Sequence, residues 1–247
     1  MAAGSPASAT LADSRSESST GNTGPLARWE PGEHVSVVGD TGTGKTFLIS
    51  RLVRYRRYVV VLKTKADARG GWKEERKLWP GFIHAKSATA MDDLRHSRIF
   101  LEPDRTSRAE QARQGAAMLK RVWDQTAWTC VIDEHWYAEM IGLKTPIEQM
   151  DTQGRSLDIT MIHGMQRPAQ ISRFVLSQST HAFIFRLEGL DTKRIKESLS
   201  ESIVPLMAQL KEYECVYFNR KRRLATIVNA QRLPALFGPY PNFGGSR

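Results

Sequence analysis

Two cysteines in 247 residues are too few for a disulfide framework. Cys130 and Cys215 each sit inside an apolar, strand-like run, so both read as small buried core residues, which suits a reducing compartment. No stretch approaches the roughly 18 consecutive apolar residues that a membrane span needs. The N-terminus lacks the apolar h-region of a secretory signal. No His or Cys recurs at metal-ligand spacing around His163, which therefore reads as a packed or turn histidine. Internal repeats are absent too. Residues 1–26 are small and polar and hold too little apolar surface to offset their ordering entropy, so a disordered tail is expected there. Acidic residues are in the minority, with 26 Asp and Glu against 36 Lys and Arg and a formal charge of +10. Such an excess commonly marks a nucleic-acid partner through phosphate neutralisation, and equally accompanies an Arg-rich genome, so charge alone does not choose.

What remains is ordinary for a globular chain, 40% apolar and 25% charged, and long enough for one α/β domain with a sizeable core. The domain is expected over residues 27–232, followed by a Pro-, Gly- and aromatic-containing tail over residues 233–247. Apolar runs at Val35–Val38, Tyr58–Leu62, Phe82–His84, Ser97–Leu101, Trp128–Ile132, Asp158–His163 and Ala182–Phe185 read as strands. Helical patterns separate them, the longest from Ser107 to Asp124 with Ala112, Ala116, Leu119 and Trp123 on one face. Shorter helices are expected over Thr89–Arg95, Ile147–Ser156, Pro168–Leu176 and Lys193–Leu199. Alternating strands and helices imply a mostly parallel sheet covered on both faces. Glu212–Phe218 and Leu224–Val228 read as a C-terminal β-hairpin. The basic, Trp-bearing stretch from Lys63 to Gly81 reads either as a nucleic-acid-facing loop or as a helical insertion with solvated lysines.

One stretch organises the chain. Gly39-Asp40-Thr41-Gly42-Thr43-Gly44-Lys45-Thr46 is a complete G-x-x-x-x-G-K-[ST] P-loop between a predicted strand and a predicted helix. Its glycines let backbone N–H groups form a nest for phosphate oxygens, and the helix N-terminus adds positive potential. Lys45 is expected at the β- and γ-phosphates of ATP, and the Thr46 hydroxyl on Mg²⁺. A second apolar run ends in Asp133-Glu134, at the carboxyl end of a strand where open α/β sheets bind ligands. Asp133 is expected to hold Mg²⁺, and Glu134 to polarise the attacking water as general base. The acid pair favours hydrolysis over transfer to a small-molecule acceptor. A further strand ends near Gln166, placed to sit between these two strands and hydrogen-bond the γ-phosphate or the lytic water.

The P-loop, Asp133-Glu134, and Gln166-Arg167-Pro168 followed by Ile171, Val175-Leu176-Ser177-Gln178 and Ile184-Phe185-Arg186-Leu187 resemble the FtsK–HerA superfamily of DNA-pumping ATPases over residues 34–200. The resemblance implies a RecA-like (ASCE) core in a homo-oligomeric ring, expected to be a hexamer, with double-stranded DNA in its channel. Segregation, coupling and filamentous-phage members usually carry membrane helices, and HerA proteins an added β-barrel. A small chain without these is most similar to a viral genome-packaging ATPase. That branch implies a host cytoplasmic or virion-associated protein docking on a capsid vertex. Arg155 resembles the arginine that the superfamily carries upstream of the Gln strand, which a neighbouring subunit would insert toward the γ-phosphate as a catalytic group. Leu157-Asp158 departs from the small residues common there, and Arg173 and Arg186 stay open as alternatives. Arg220-Lys221-Arg222-Arg223, at the hairpin turn, reads either as a DNA-phosphate contact in the channel or as a solvated tip. A non-translocating ATP-binding switch and a P-loop kinase are the competing functions.

Overall fold

The computed structural model describes residues 25–64, 77–93, 95–104 and 106–243. The expected disordered tail, up to residue 24, and most of the Lys63–Gly81 stretch lie outside the described residues.

Valine- and isoleucine-rich runs bury both faces at once, which suits parallel strands between helical layers. The strands are β1 (Val35–Val38), β2 (Val59–Leu62), β3 (Ile83–Ala85), β4 (Arg98–Leu101), β5 (Thr129–Ile132), β6 (Thr160–Met165), β7 (His181–Ile184), β8 (Cys215–Asn219) and β9 (Leu224–Val228). Among the described residues they form one nine-stranded sheet in the order β3-β4-β2-β5-β6-β1-β7-β8-β9. The first seven in that order run parallel, and β8 and β9 close the far edge as an antiparallel hairpin. This is the α/β P-loop arrangement expected from the sequence.

Helices α1 (Lys45–Leu52), α2 (Arg108–Gln125), α3 (His135–Ala138), α4 (Lys144–Gln153), α5 (Arg173–Gln178), α6 (Gly189–Ser198), α7 (Ile203–Met207) and α8 (Leu233–Phe237) accompany the sheet. Helix α2 starts at Ser107, whose hydroxyl accepts from the Glu110 N–H as an N-cap. Its buried face is Gln111, Gln114, Gly115, Met118, Leu119 and Val122, with Ala116 exposed, which corrects the face expected from apolar spacing. Two glutamines go inside because they are hydrogen-bonded there. Gln111 donates to Thr64 O and accepts from Tyr137 Oη, and Gln114 accepts from the Ala88 N–H. The expected helix at Thr89–Arg95 is only a 3₁₀ turn over Ala88–Asp92. That expected from Pro168 splits into a 3₁₀ turn and α5, which Ser172 caps through the Phe174 N–H.

The segment from residue 233, read from the sequence as a tail, packs into the core instead. Leu233 and Leu236 are buried, Phe237 lies against Trp29, Tyr55 and Tyr217, and the Ala27 N–H bonds Leu236 O. Among the described residues no helix is long and apolar enough to cross a membrane.

Candidate nucleotide-binding and hydrolysis site

Four parallel strands deliver the chemistry to one edge of the sheet. The order β2-β5-β6-β1 places the residues after each strand side by side at their carboxyl ends: Lys63, Asp133-Glu134, Gln166 and the P-loop. The loop leaves β1 with the Gly39 N–H bonded to Met165 O of β6 at 3.0 Å. Gly42 (φ 84°) and Gly44 (φ 99°) lie in the left-handed region, where a side chain would be strained. Thr43 Oγ1 and Lys45 Nζ both donate to Asp40 O, at 2.8 and 2.6 Å, closing the loop on itself.

Thr46, on the first turn of α1, meets Asp133 with Oγ1 donating to Oδ1 at 3.2 Å. These are hard oxygen donors on the loop and strand that flank a phosphate nest, and the set fits Mg²⁺, which takes its remaining ligands from phosphate and water. Sequence reasoning missed Lys63, which pairs with the other carboxylate oxygen of Asp133 at 3.4 Å. Both side chains are nearly buried, 9% and 12% exposed, so this is an ion pair shielded from solvent. The available signal was a lysine directly after an apolar strand, read only as the start of a basic loop. The backbone of Asp133 crosses Gly164 of β6 closely enough that a Cβ there would lie 2.3 Å from Asp133 O. Glycine at position 164 therefore sets where the acid pair sits.

Glu134 and the P-loop are joined through Gln166. Thr41 Oγ1 donates to Gln166 Oε1 at 3.1 Å, and Gln166 Nε2 donates to Glu134 Oε2 at 2.7 Å. An amide with one acceptor and one donor suits this bridge, since it takes a proton from a hydroxyl and gives one to a carboxylate. Gln166 thereby links the P-loop threonine to the Glu134 carboxylate.

Behind this edge lies a buried chain that the sequence did not reveal. His135 Nε2 meets Glu139 Oε1 at 3.1 Å, His135 and His163 meet through their Nδ1 atoms at 2.9 Å, and His163 Nε2 meets Asp151 Oδ1 at 2.8 Å. Burial lowers the His135 pKa and so favours its neutral ring. This buried chain ties the turn bearing Glu134 to α4. His163 is packed, as its context suggested, and among the described residues no three His, Cys, Asp or Glu side chains form a metal cage.

Other candidates lie elsewhere. Arg155 follows α4 at the opposite edge, beside the amino-terminal ends of β6 and β7, where it donates to Thr180 Oγ1 at 2.9 Å. Arg220-Lys221-Arg222-Arg223 turn between β8 and β9 at that same opposite edge, since Asn219 pairs with His181 at the start of β7. Arg220 donates to the carbonyls of Leu176, Ser179 and Ser198, Lys221 pairs with Glu33, and Arg222 donates to Leu26 O. Three of these four cations are thus engaged within the domain. Arg186 donates to Leu210 O at 2.7 Å, close to the P-loop of its own chain. The Arg173 side chain lies outside the described residues.

No protein-family model matches the chain, and no curated relative matches it. Solved structures do. The genome packaging NTPase B204 from Sulfolobus turreted icosahedral virus 2, in complex with AMP, has a TM-score of 0.64 at 16% identity over 81% of this chain and 98% of that one. The same protein has been solved with ATP-gammaS and AMPPCP. B204 from Sulfolobus turreted icosahedral virus, a DNA-packaging ATPase, gives 0.61 at 16% identity over 81% of this chain and 98% of that one. The cytoplasmic domain of the Thermomonospora curvata type VII secretion ATPase EccC gives 0.51 at 16% identity over 79% of this chain and 25% of that one. At such identity the likeness is one of fold. The chain has the α/β P-loop NTPase fold of the B204 packaging NTPases and of the EccC cytoplasmic domain.

Proposed function

We infer that the protein is an ATP-hydrolysing double-stranded DNA translocase that packages a viral genome into a preformed capsid. The observation that carries the reading is the Thr41–Gln166–Glu134 bridge, which couples a phosphate-binding loop to a general base. A kinase gains nothing from activating water, so Glu134 acting on water favours hydrolysis over transfer. In this reading the P-loop N–H groups and Lys45 hold the triphosphate, and Thr46 and Asp133 hold Mg²⁺. Mg²⁺ when bound neutralises charge on the β- and γ-phosphates. Glu134 takes the proton of the attacking water, oriented by Gln166.

The ring supplies the remaining group. Arg155 lies at the edge opposite its own P-loop, from which it would reach only a neighbour's nucleotide, so a homo-oligomeric ring, expected to be a hexamer, completes the site. The formal charge of +10 supports sequence-independent contact with DNA phosphates, and the fold is that of proteins described as genome-packaging and DNA-packaging enzymes. The setting is the host cytoplasm, with docking on a capsid vertex.

The test is ATP hydrolysis by the purified protein with and without linear double-stranded DNA, alongside Glu134→Gln. Several-fold stimulation by DNA is expected. Hydrolysis should fall about 10²–10⁴-fold in the variant while ATP binding survives. Turnover indifferent to DNA, with no DNA binding at low salt, would overturn the translocase reading and leave an ATPase.

A further inference from the structure

Beyond Gly44 the P-loop opens into a groove of about 540 Å³. Its walls are Thr41 to Thr43 of the loop, Phe185 and Arg186 after β7, and the turn over residues 210–214 that enters β8. Tyr213 stands on that turn. Its backbone is left-handed, φ 60°, an unfavourable state for a bulky residue. Its side chain is not buried to compensate, since the residue is 60% exposed. The ring nevertheless reaches the loop. A Cβ on Gly44 would touch Tyr213 Cδ1 at 3.4 Å and Phe185 Cε1 at 3.9 Å.

The turn is held in place. Arg186 donates to Leu210 O at 2.7 Å, the Lys211 N–H donates to Glu214 Oε2 at 2.9 Å, and the Glu214 N–H donates to Lys211 O at 3.2 Å. The Tyr213 hydroxyl interacts with Glu212, which leaves the ring face exposed beside the phosphate-binding loop. A nucleoside triphosphate with its phosphates in the nest must carry ribose and base outside it, and this groove is continuous with the nest. Its volume falls within the range of about 300–1,000 Å³ typical of small-molecule sites.

We propose that this groove is the nucleobase subsite, with the Tyr213 ring as the stacking face and Phe185 as the apolar floor. Arg186 is then a positioning residue that fixes the turn through Leu210. The inference rests on the nucleotide-binding reading above and assigns the part of the ligand that the P-loop motif does not address.

The test compares binding of ATPγS with that of inorganic tripolyphosphate, which has no base, by calorimetry. The proteins are the wild type, Tyr213→Gly and Tyr213→Phe. Glycine adopts the left-handed backbone without strain, so the first variant removes the ring and keeps the turn. Loss of one aromatic–base stack should weaken ATPγS about tenfold, with tripolyphosphate unchanged and Tyr213→Phe close to wild type. Equal ATPγS affinity in wild type and Tyr213→Gly would overturn the subsite and leave the ATPase reading intact. Equal weakening of both ligands would also overturn it, because the ring would then act through the loop. A wild-type protein that binds neither ligand would overturn the nucleotide reading itself.

Discussion

Replacing Gly164 by alanine adds one methyl group where β5 and β6 approach beneath the acid pair. The new Cβ would lie 2.3 Å from the Asp133 carbonyl oxygen, 3.0 Å from its carbon and 3.2 Å from its Cα. All three are backbone atoms, so no side-chain rotation relieves the overlap. Gly164 is not among the residues with positive φ, so the cost is steric and not conformational. Reaching a contact of about 3.5 Å requires the strands to part by about 1 Å. Strand β6 is hydrogen-bonded to neighbours on both sides, β5 and β1, which leaves it little room to move. Overpacking typically costs about 1–3 kcal/mol, and the upper end is expected in the middle of a sheet. For a chain of this length, about 3 kcal/mol lowers Tm by about 6–12 °C. The displacement falls on the residue that meets Thr46 at 3.2 Å and Lys63 at 3.4 Å. Catalysis should therefore suffer more than binding, since a misplacement of about 1 Å can cost about 10²-fold in rate. Scanning calorimetry and steady-state ATPase measurements on Gly164→Ala read both effects. A variant with wild-type Tm and wild-type turnover would refute the claim that this close approach positions Asp133.

Two further outcomes follow from the buried charges. Lys63→Met should destabilise the protein by about 3–5 kcal/mol in urea unfolding, because it strands the Asp133 carboxylate. Adding Asp133→Asn should recover part of that loss, and strictly additive losses would show that the pair is uncoupled. Acid sensitivity should begin well above the carboxylate range. His34 accepts from the Met161 N–H on Nδ1 and donates to Asp151 O from Nε2, so the neutral ring has both nitrogens engaged. Burial lowers its pKa from the ordinary 6.5 to about 4. The unfolded chain takes up this proton first as pH falls, so about 3 kcal/mol of stability present above pH 6.5 is lost progressively down to about pH 4. The slope of stability against pH in that window should flatten in His34→Asn, and an unchanged slope would assign the sensitivity to other groups.

The β8–β9 turn shows where sequence reading stops. Four consecutive cations read equally as a DNA-phosphate contact or as a solvated tip, whereas in the fold Arg220 holds three carbonyls and Lys221 pairs with Glu33, which also accepts from His181. Burial would raise the Glu33 pKa, but the bonds from His181, Lys221 and the Glu30 N–H prevail and hold it at about 2. A run of charge says nothing about which backbone groups lie within reach. Helix α2 teaches the same lesson from the opposite side, since its two buried glutamines are legible only once Thr64, Tyr137 and Ala88 are in place.

By itself the sequence determined the elements that rest on local physics. The P-loop needs its residue types in order, because consecutive backbone N–H groups must converge on one anion. The central strands are continuous apolar runs because both faces are covered. The acid pair and Gln166 follow such runs directly, so their place at the carboxyl ends of strands was readable from the chain. Strand order belongs to the tertiary structure alone. It brought Lys63 to Asp133, pressed Gly164 against the Asp133 backbone, linked His135 to His163 and seated Tyr213 beside Gly44. Each of these contacts joins residues distant in the chain, and their closeness comes from the packing of a whole sheet, which no short window of sequence encodes.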